Sequence, residues 1–136
     1  MGDSIIHHTL VPLILRAGLA VIFIYHGWEK VFTHGNLGTG WHPDMNVILQ
    51  ALVAWGELIG GVALAAGFLT RAAAVGIAII MAGAIVTVHG KHGFALSKQG
   101  FEYNFALLII CAALILTGGG TLAFDRWFRF RRRSPE

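Results

Sequence analysis

The chain has 136 residues, of which 56% are hydrophobic and 12% are charged, and its formal net charge at pH 7 is +3. A soluble domain carries about 25% charged residues, so this composition excludes an ordinary soluble protein and indicates a membrane protein. The net charge comes mostly from residues 126–136, which contain five of the ten lysines and arginines. The rest of the chain therefore shows no basic surface for nucleic acid, and no nucleic-acid partner is expected.

Four apolar segments are long enough to cross the membrane as helices, because about 20 residues span roughly 30 Å of hydrocarbon. Leu, Ala, Ile and Gly dominate these segments without period-two alternation, which argues against transmembrane strands. The spans are predicted at about residues 9–32, 47–69, 72–88 and 103–123, followed by a basic tail at 124–136. The sequence therefore predicts an all-α, single-domain, polytopic membrane protein.

The connections between the spans predict how the helices are arranged. Thr70 and Arg71 alone join the second and third spans, so these helices must be antiparallel neighbours. The loops at residues 33–46 and 90–100 are glycine-rich, and the first is expected to fold back over the bundle. We predict an antiparallel four-transmembrane-helix bundle in which small residues of spans two and three allow close packing. These small residues are Gly56, Gly60, Ala72, Gly76 and Gly83.

The distribution of arginine predicts the orientation of the bundle. An even number of spans places both termini on one side, where Arg71 and the arginines between positions 126 and 133 also lie. The positive-inside rule therefore predicts that both termini are cytoplasmic. Aromatic residues such as Trp127 alternate with the arginines of the tail, which suits a segment lying along the anionic inner membrane surface.

Polar side chains within the predicted spans need an explanation, because each ionisable group costs roughly 2.5–3.5 kcal/mol to insert. All four spans bring polar residues to the outer half of the bundle, whereas the inner half contains little besides Arg16. Glu57 lies too deep to reach the headgroups, so it must be protonated, paired with a cation or exposed to a water-filled cavity. The candidate ligand-binding or proton-exchanging residues are His26, Glu29, Lys30, Glu57, His89, Glu102, Tyr103 and Asn104.

Several of these residues also have a purely structural interpretation. Lys30 and Trp28 can anchor the first helix at the membrane interface, and His26 can form a hydrogen bond between helices. Arg16 can extend to the cytoplasmic surface or serve as the structural partner of Glu57. Lys30 is the other candidate cation for Glu57, and His26 could share its proton. The histidines of the outer side match no zinc or haem spacing, so no metal is expected, and no residue is assigned as catalytic.

Four motifs of the sequence resemble the DoxX family of small bacterial membrane proteins. They read "LRAGLAVIFIYHGWEKVF", "WGELIGGVALAAGFLTRAAA", "HGKHGF" and "GFEYNFALLIICAALILTGGGTLAFDRW", in the order and spacing of that family. The resemblance extends from about Leu13 to Trp127 and implies a four-helix protein of the bacterial cytoplasmic (inner) membrane. The recurring positions of the family correspond here to His26, Gly27, Lys30, Glu57, Gly60, Arg71, His89, Gly93, Glu102 and Asp125.

The resemblance implies two hypotheses for function. The family is named for its similarity to a subunit of a thiosulfate:quinone oxidoreductase, so the first hypothesis is a redox-associated membrane subunit. Its ligand would be a quinone or another small apolar molecule, bound in the outer half of the bundle. The sequence has no intrinsic pattern for haem, flavin or iron–sulfur ligation, so the chain would be at most one subunit of an oxidoreductase complex.

The second hypothesis is a non-catalytic scaffold or accessory subunit of a larger complex. In that case the polar cluster specifies helix register, and the chain binds a protein partner or a second copy of itself within the lipid bilayer. A small-molecule or proton conduit is disfavoured, because four helices leave little lumen and the inner half of the bundle is apolar.

Overall fold

The computed structural model of the chain describes residues 5–34 and 36–131. Three long helices, α1 (Ile6–Thr33), α2 (Val47–Ala66) and α3 (Thr70–His92), are apolar and long enough to cross a membrane. They are followed by the shorter apolar helix α4 (Glu102–Thr117) and by α5 (Phe124–Arg131). The predicted class is confirmed: the described chain is a helical membrane bundle. Residues 132–136 of the predicted tail lie outside the described part.

Contacts at both ends of the helices show that the bundle is antiparallel. Near the start of α1, the Thr9 hydroxyl lies 2.6 Å from the hydroxyl of Thr121, which follows α4. At the opposite end of α1, the Lys30 side chain contacts α2. We call the end with the first residues of α1 the terminal end, and the end with the loops at 33–46 and 90–100 the loop end.

Glycines allow α1 and α2 to approach until their backbones touch. A Cβ on Gly27 would lie 2.6 Å from the Cα of Leu58, and a Cβ on Gly61 would lie 2.7 Å from the backbone nitrogen of Ile24. Atoms cannot approach this closely, so only glycine fits at either position. The glycine pair at 27 and 61 therefore sets the distance between α1 and α2.

The small residues predicted for spans two and three have different roles in the structure. Gly56 and Gly60 contact α3, since a Cβ on either would lie about 3 Å from a side chain of that helix, as predicted. Gly76 and Gly83 have open space around them, so the packing role predicted for them is not fulfilled within this chain. The reason is that α3 turns another face, with Ile77 and Met81, toward the core.

The connection between α2 and α3 is short, as predicted, but it comprises residues 67–69 instead of Thr70 and Arg71, which belong to α3. Gly67 ends α2 in the left-handed conformation, with φ of 69°, and α3 begins at Thr70. Glycine takes this conformation without the steric cost that a Cβ imposes, which is why helices often end on it. The prediction that α2 and α3 are antiparallel neighbours is confirmed.

The fourth helix is shorter than the sequence predicts. It ends at Thr117, whereas the predicted span continued to about residue 123. Gly118 and Gly120 adopt φ values of 76° and 78°, which stop the helix and turn the chain across the terminal end toward α5. The backbone N–H of Thr121 then donates to the carbonyl of His8, 3.0 Å away in α1.

Candidate functional site

The buried carboxylate of α2 is paired with a lysine. The Glu57 side chain is 4% exposed, and its Oε2 accepts a hydrogen bond of 2.5 Å from Nζ of Lys30, whose side chain is 21% exposed. Glu57 lies about 15 Å along α2 from the first residue of that helix. Of the three states that the sequence allowed for this carboxylate, the structure shows pairing with a cation, which offsets part of the cost of burying both charges.

The close contact between α1 and α2 brings the two charged side chains together. Gly27 lies one turn before Lys30, and the residue that it touches, Leu58, directly follows Glu57. Lys30 also lies within a π-helical turn, Glu29–Thr33, a widened turn that is frequent at functional sites. The backbone contact and the widened turn thus place the ammonium group beside the carboxylate.

The first loop folds back over the bundle, as the sequence predicted, and it lies over this ion pair. The ring centre of Trp41 lies 4.9 Å from Nζ of Lys30, a distance that gives a cation–π interaction. The indole N–H of Trp41 donates to the carbonyl of Gly38 at 2.9 Å and to the carbonyl of Gln50 at 3.2 Å. Trp41 therefore covers Lys30 and is itself held by the loop and by α2.

Gln50 holds the loop against the first turn of α2. Its side-chain oxygen accepts hydrogen bonds from the backbone N–H groups of Gly40 and His42, at 2.8 and 3.2 Å. Its side-chain nitrogen donates to the carbonyls of His42 and Met45, at 2.8 and 2.7 Å. The sequence interpretation missed Gln50, although an amide in the otherwise apolar stretch 47–54 was a signal that could have identified it.

Tyr103 and Asn104 lie in the first turn of α4. Tyr103 is 40% exposed. Asn104 is buried, and its side chain donates to Sδ of Met81 at 3.4 Å. Of the residues predicted for the site, the structure therefore brings Lys30 and Glu57 together, whereas Asn104 serves the packing of α3 against α4.

Glu29 and His26 lie apart from the ion pair. Glu29 faces the surface, where its carboxylate is 3.5 Å from Nε2 of His34, and both side chains are substantially exposed. His26 is half-buried. Its ring is nearly perpendicular to the ring of Tyr25, and the two ring centres are 5.4 Å apart. The hydrogen bond of Glu57 goes to Lys30 instead of His26.

His89 and Glu102 stabilise the second loop. Nδ1 of His89 is hydrogen-bonded to the carbonyl of Gln99 at 2.9 Å. The carboxylate of Glu102 accepts a hydrogen bond from the backbone N–H of Leu96, also at 2.9 Å. Both contacts join the ends of the loop between α3 and α4, so the structure gives these two residues a local role.

Arg16 is buried at the terminal end, so it neither extends to the surface of the bundle nor pairs with Glu57, whose carboxylate bonds to Lys30. Its guanidinium group donates to the carbonyls of Leu64 at 2.9 Å, Ala65 at 3.1 Å and Gly119 at 2.7 Å. The first two carbonyls lie in the last turn of α2, where the Leu64 carbonyl also accepts a hydrogen bond of 3.2 Å from the backbone N–H of Gly67. The planar guanidinium can serve several such acceptors at once, so Arg16 joins α2 to the turn after α4.

Asp125 completes the terminal end. Its carboxylate accepts hydrogen bonds from the backbone N–H groups of Leu69 at 2.6 Å and Thr70 at 2.8 Å. This contact caps the first turn of α3 from outside that helix. Asp125 thereby joins the first turn of α5 to the start of α3.

Two shallow apolar grooves lie on the outside of the bundle. One follows α2 and is lined by Leu58, Ile59, Val62, Ala63, Ala66 and Phe68. The other is lined by Leu122, Ala123, Phe124 and Trp127. Neither lining includes Lys30 or Glu57. Over residues 5–34 and 36–131, no three His, Cys, Asp or Glu side chains group in a way that could hold a metal ion.

The chain is a bundle of apolar helices in which the buried Glu57 pairs with the partly buried Lys30. This arrangement defines it as a small helical membrane protein. The DoxX family model matches residues 11–90, which is more than half of the chain. The chain therefore belongs to the DoxX family, as the resemblance implied. It is 35% identical over 120 residues to the Bacillus subtilis (strain 168) protein named "Putative oxidoreductase CatD", and the match covers 83% of each chain. No solved structure matches the chain significantly.

Proposed function

We propose that the chain is an inner-membrane subunit that contributes to redox chemistry together with a partner protein. We further propose that the Lys30–Glu57 pair is its site for a quinone-like ligand. Membership of the DoxX family and the name of the Bacillus subtilis relative support the redox assignment. The observation that carries the site is the ion pair itself, because charges inside a membrane are expensive and are typical of functional positions.

The residues around the pair fit the chemistry of such a ligand. The Lys30 ammonium can donate a hydrogen bond to a ligand carbonyl oxygen, and the Glu57 carboxylate can exchange a proton. Trp41 adds aromatic surface, and the groove that includes Leu58 offers apolar surface for a tail. Reduction of a quinone to a quinol takes two electrons and two protons; we assign proton exchange to this chain and electron supply to the partner.

Quinone retention tests the proposal. The full-length wild type and the variants Glu57→Gln and Lys30→Met would be purified in mild detergent from quinone-containing membranes. Quinone per protein would then be measured by chromatography and mass spectrometry. We expect bound quinone in the wild type and a loss of about tenfold or more in both variants, equivalent to about 1.4 kcal/mol of binding free energy.

A matched control separates the site from charge in general. Lys91→Met removes an exposed lysine of the second loop and should leave retention unchanged. Size-exclusion chromatography would show whether each variant is still folded. If folded Glu57→Gln and Lys30→Met proteins retain as much quinone as the wild type, the ion pair is not the ligand site.

One observation favours a non-catalytic accessory subunit as the second candidate. The Lys30 and Glu57 side chains satisfy each other, as expected of a buried pair that specifies helix register. Native mass spectrometry of the wild type released from membranes distinguishes the two functions. A bound protein partner without any small ligand would support the accessory role, whereas a bound quinone-sized mass would support the redox site.

A further inference from the structure

We propose that residues 36–46 form a lid over the Lys30–Glu57 pair, and that Gln50 is the positioning residue that holds this lid closed. The lid controls access from the aqueous phase at the loop end. This inference goes beyond the proposed redox function and does not depend on it, because it concerns access to the lysine and not the identity of a ligand.

The first support is the way that Gln50 binds the lid. Its side chain is 3% exposed, and its amide bonds to the backbone of Gly40 and His42, the residues on either side of Trp41. These bonds fix the backbone on both sides of Trp41, and we call them the Gln50 clamp. Each bond is made to a backbone group, so other side chains in the lid do not contribute to this clamp.

The second support is that Trp41 is held independently of that clamp. Its indole N–H is shared between the carbonyls of Gly38 and Gln50, which prevents the ring from rotating away from Lys30. The ring lies 4.9 Å from the Lys30 ammonium, so it occupies a position over the cation that water would otherwise fill.

The third support is a strained turn at the other end of the lid. Asn36 and Leu37 adopt φ values of 49° and 54°. Asparagine takes this left-handed conformation readily, but leucine adopts it only where the surroundings enforce it. Trp55 of α2 supplies this constraint, because its indole N–H donates to the carbonyl of Leu37 at 2.9 Å. The lid is therefore attached to α2 at two separate places, and release of these contacts leaves the glycine contact between α1 and α2 intact.

Chemical labelling of lysines tests the lid directly. The full-length protein in mild detergent would be treated with a water-soluble, amine-reactive ester, and the modification rate of each lysine would be measured by mass spectrometry. Lys91 and Lys98 are exposed in the second loop and serve as internal references. In the wild type we expect Lys30 to react about tenfold more slowly than these references, since reaction requires the lid to open.

Substitutions at the two holding side chains should remove this protection. We expect Gln50→Ala to raise the rate at Lys30 several-fold while the rates at Lys91 and Lys98 stay the same. Trp41→Phe removes the indole N–H but keeps an aromatic ring, so it should also raise the rate. It provides the test if Gln50→Ala does not fold.

Thr39→Ala is the matched control within the lid. The Thr39 hydroxyl donates to the carbonyl of Asn36 at 2.9 Å and does not contact Gln50 or Trp41, so the rate at Lys30 should equal that of the wild type. The proposal is overturned if Gln50→Ala and Trp41→Phe behave like Thr39→Ala. It is also overturned if Lys30 of the wild type reacts as fast as Lys91.

Discussion

At the residue scale, the bundle accommodates its buried charges in two different ways. Near the loop end, Lys30 and Glu57 neutralise each other as a pair of unlike charges. At the terminal end, Arg16 donates to backbone carbonyls and has no carboxylate in direct contact among its hydrogen-bond partners. The chemistry of the two cations explains the difference, because an ammonium is a compact charge whereas a guanidinium presents several donors in one plane.

Replacement of Arg16 by lysine should destabilise the protein. A single ammonium cannot reach acceptors on both α2 and the turn after α4, and each hydrogen bond lost to a charged group is worth about 1.5–3 kcal/mol. We expect a clear decrease in the midpoint of thermal unfolding in detergent. Arg71→Lys is the control, because Arg71 is exposed and donates to the Leu116 carbonyl at 3.1 Å. Equal effects of the two substitutions would show that the guanidinium geometry of Arg16 is unimportant.

At the element scale, the contact between α1 and α2 is the feature on which the ion pair depends. Gly27 and Gly61 allow backbone contact along these helices, and Lys30 meets Glu57 on the loop side of that contact. A wider separation of the helices would stretch the ion pair and move α2 away from the lid. The glycines of this interface therefore affect the site without contacting either charged group.

A methyl group at the interface should push the helices apart. We expect Gly27→Ala to cost about 1–3 kcal/mol through overpacking, measured as a lower free energy of unfolding in a denaturing detergent. Gly18→Ala lies on the same helix with open space around it, so it should be neutral or stabilise by about 0.5–1 kcal/mol. If Gly27→Ala were as stable as Gly18→Ala, the close contact between α1 and α2 would not be required.

At the scale of the whole molecule, the two ends of the bundle have different characters. The terminal end carries buried Arg16, exposed Arg71 and the capping carboxylate of Asp125. The loop end carries the lid and the second loop, which cover or flank the ion pair. The orientation in which the arginine-rich end faces the cytoplasm rests on this distribution of arginine and stays a prediction.

Cysteine labelling in intact cells tests that orientation. We expect a membrane-impermeant maleimide to label Ser97→Cys in the second loop from outside, and to label His7→Cys only after the inner membrane is permeabilised. The unmodified chain is the control, since Cys111 is free and buried and should not react in either condition. Labelling of His7→Cys in sealed cells would reverse the predicted topology.

The candidate site could be predicted from sequence only in part. Glu57 was identified because a carboxylate deep in an apolar helix must be protonated, paired with a cation or hydrated, whatever the tertiary structure. Its partner was left open among Lys30, Arg16 and His26, because periodicity does not show how two helices are rotated against each other. The backbone contact at Gly27 settles that rotation and selects Lys30.

The sequence alone determined the apolar segments, their antiparallel order and the need to neutralise Glu57. These features follow from composition, segment length and charge, which can be read along the chain without knowing how the helices pack. The pairing of Lys30, the clamp formed by Gln50 and the burial of Arg16 depend on distances between helices. Such distances result from side-chain and backbone packing among residues far apart in the chain. The folded bundle therefore assigns each polar residue its partner, whereas the sequence shows which residues need one.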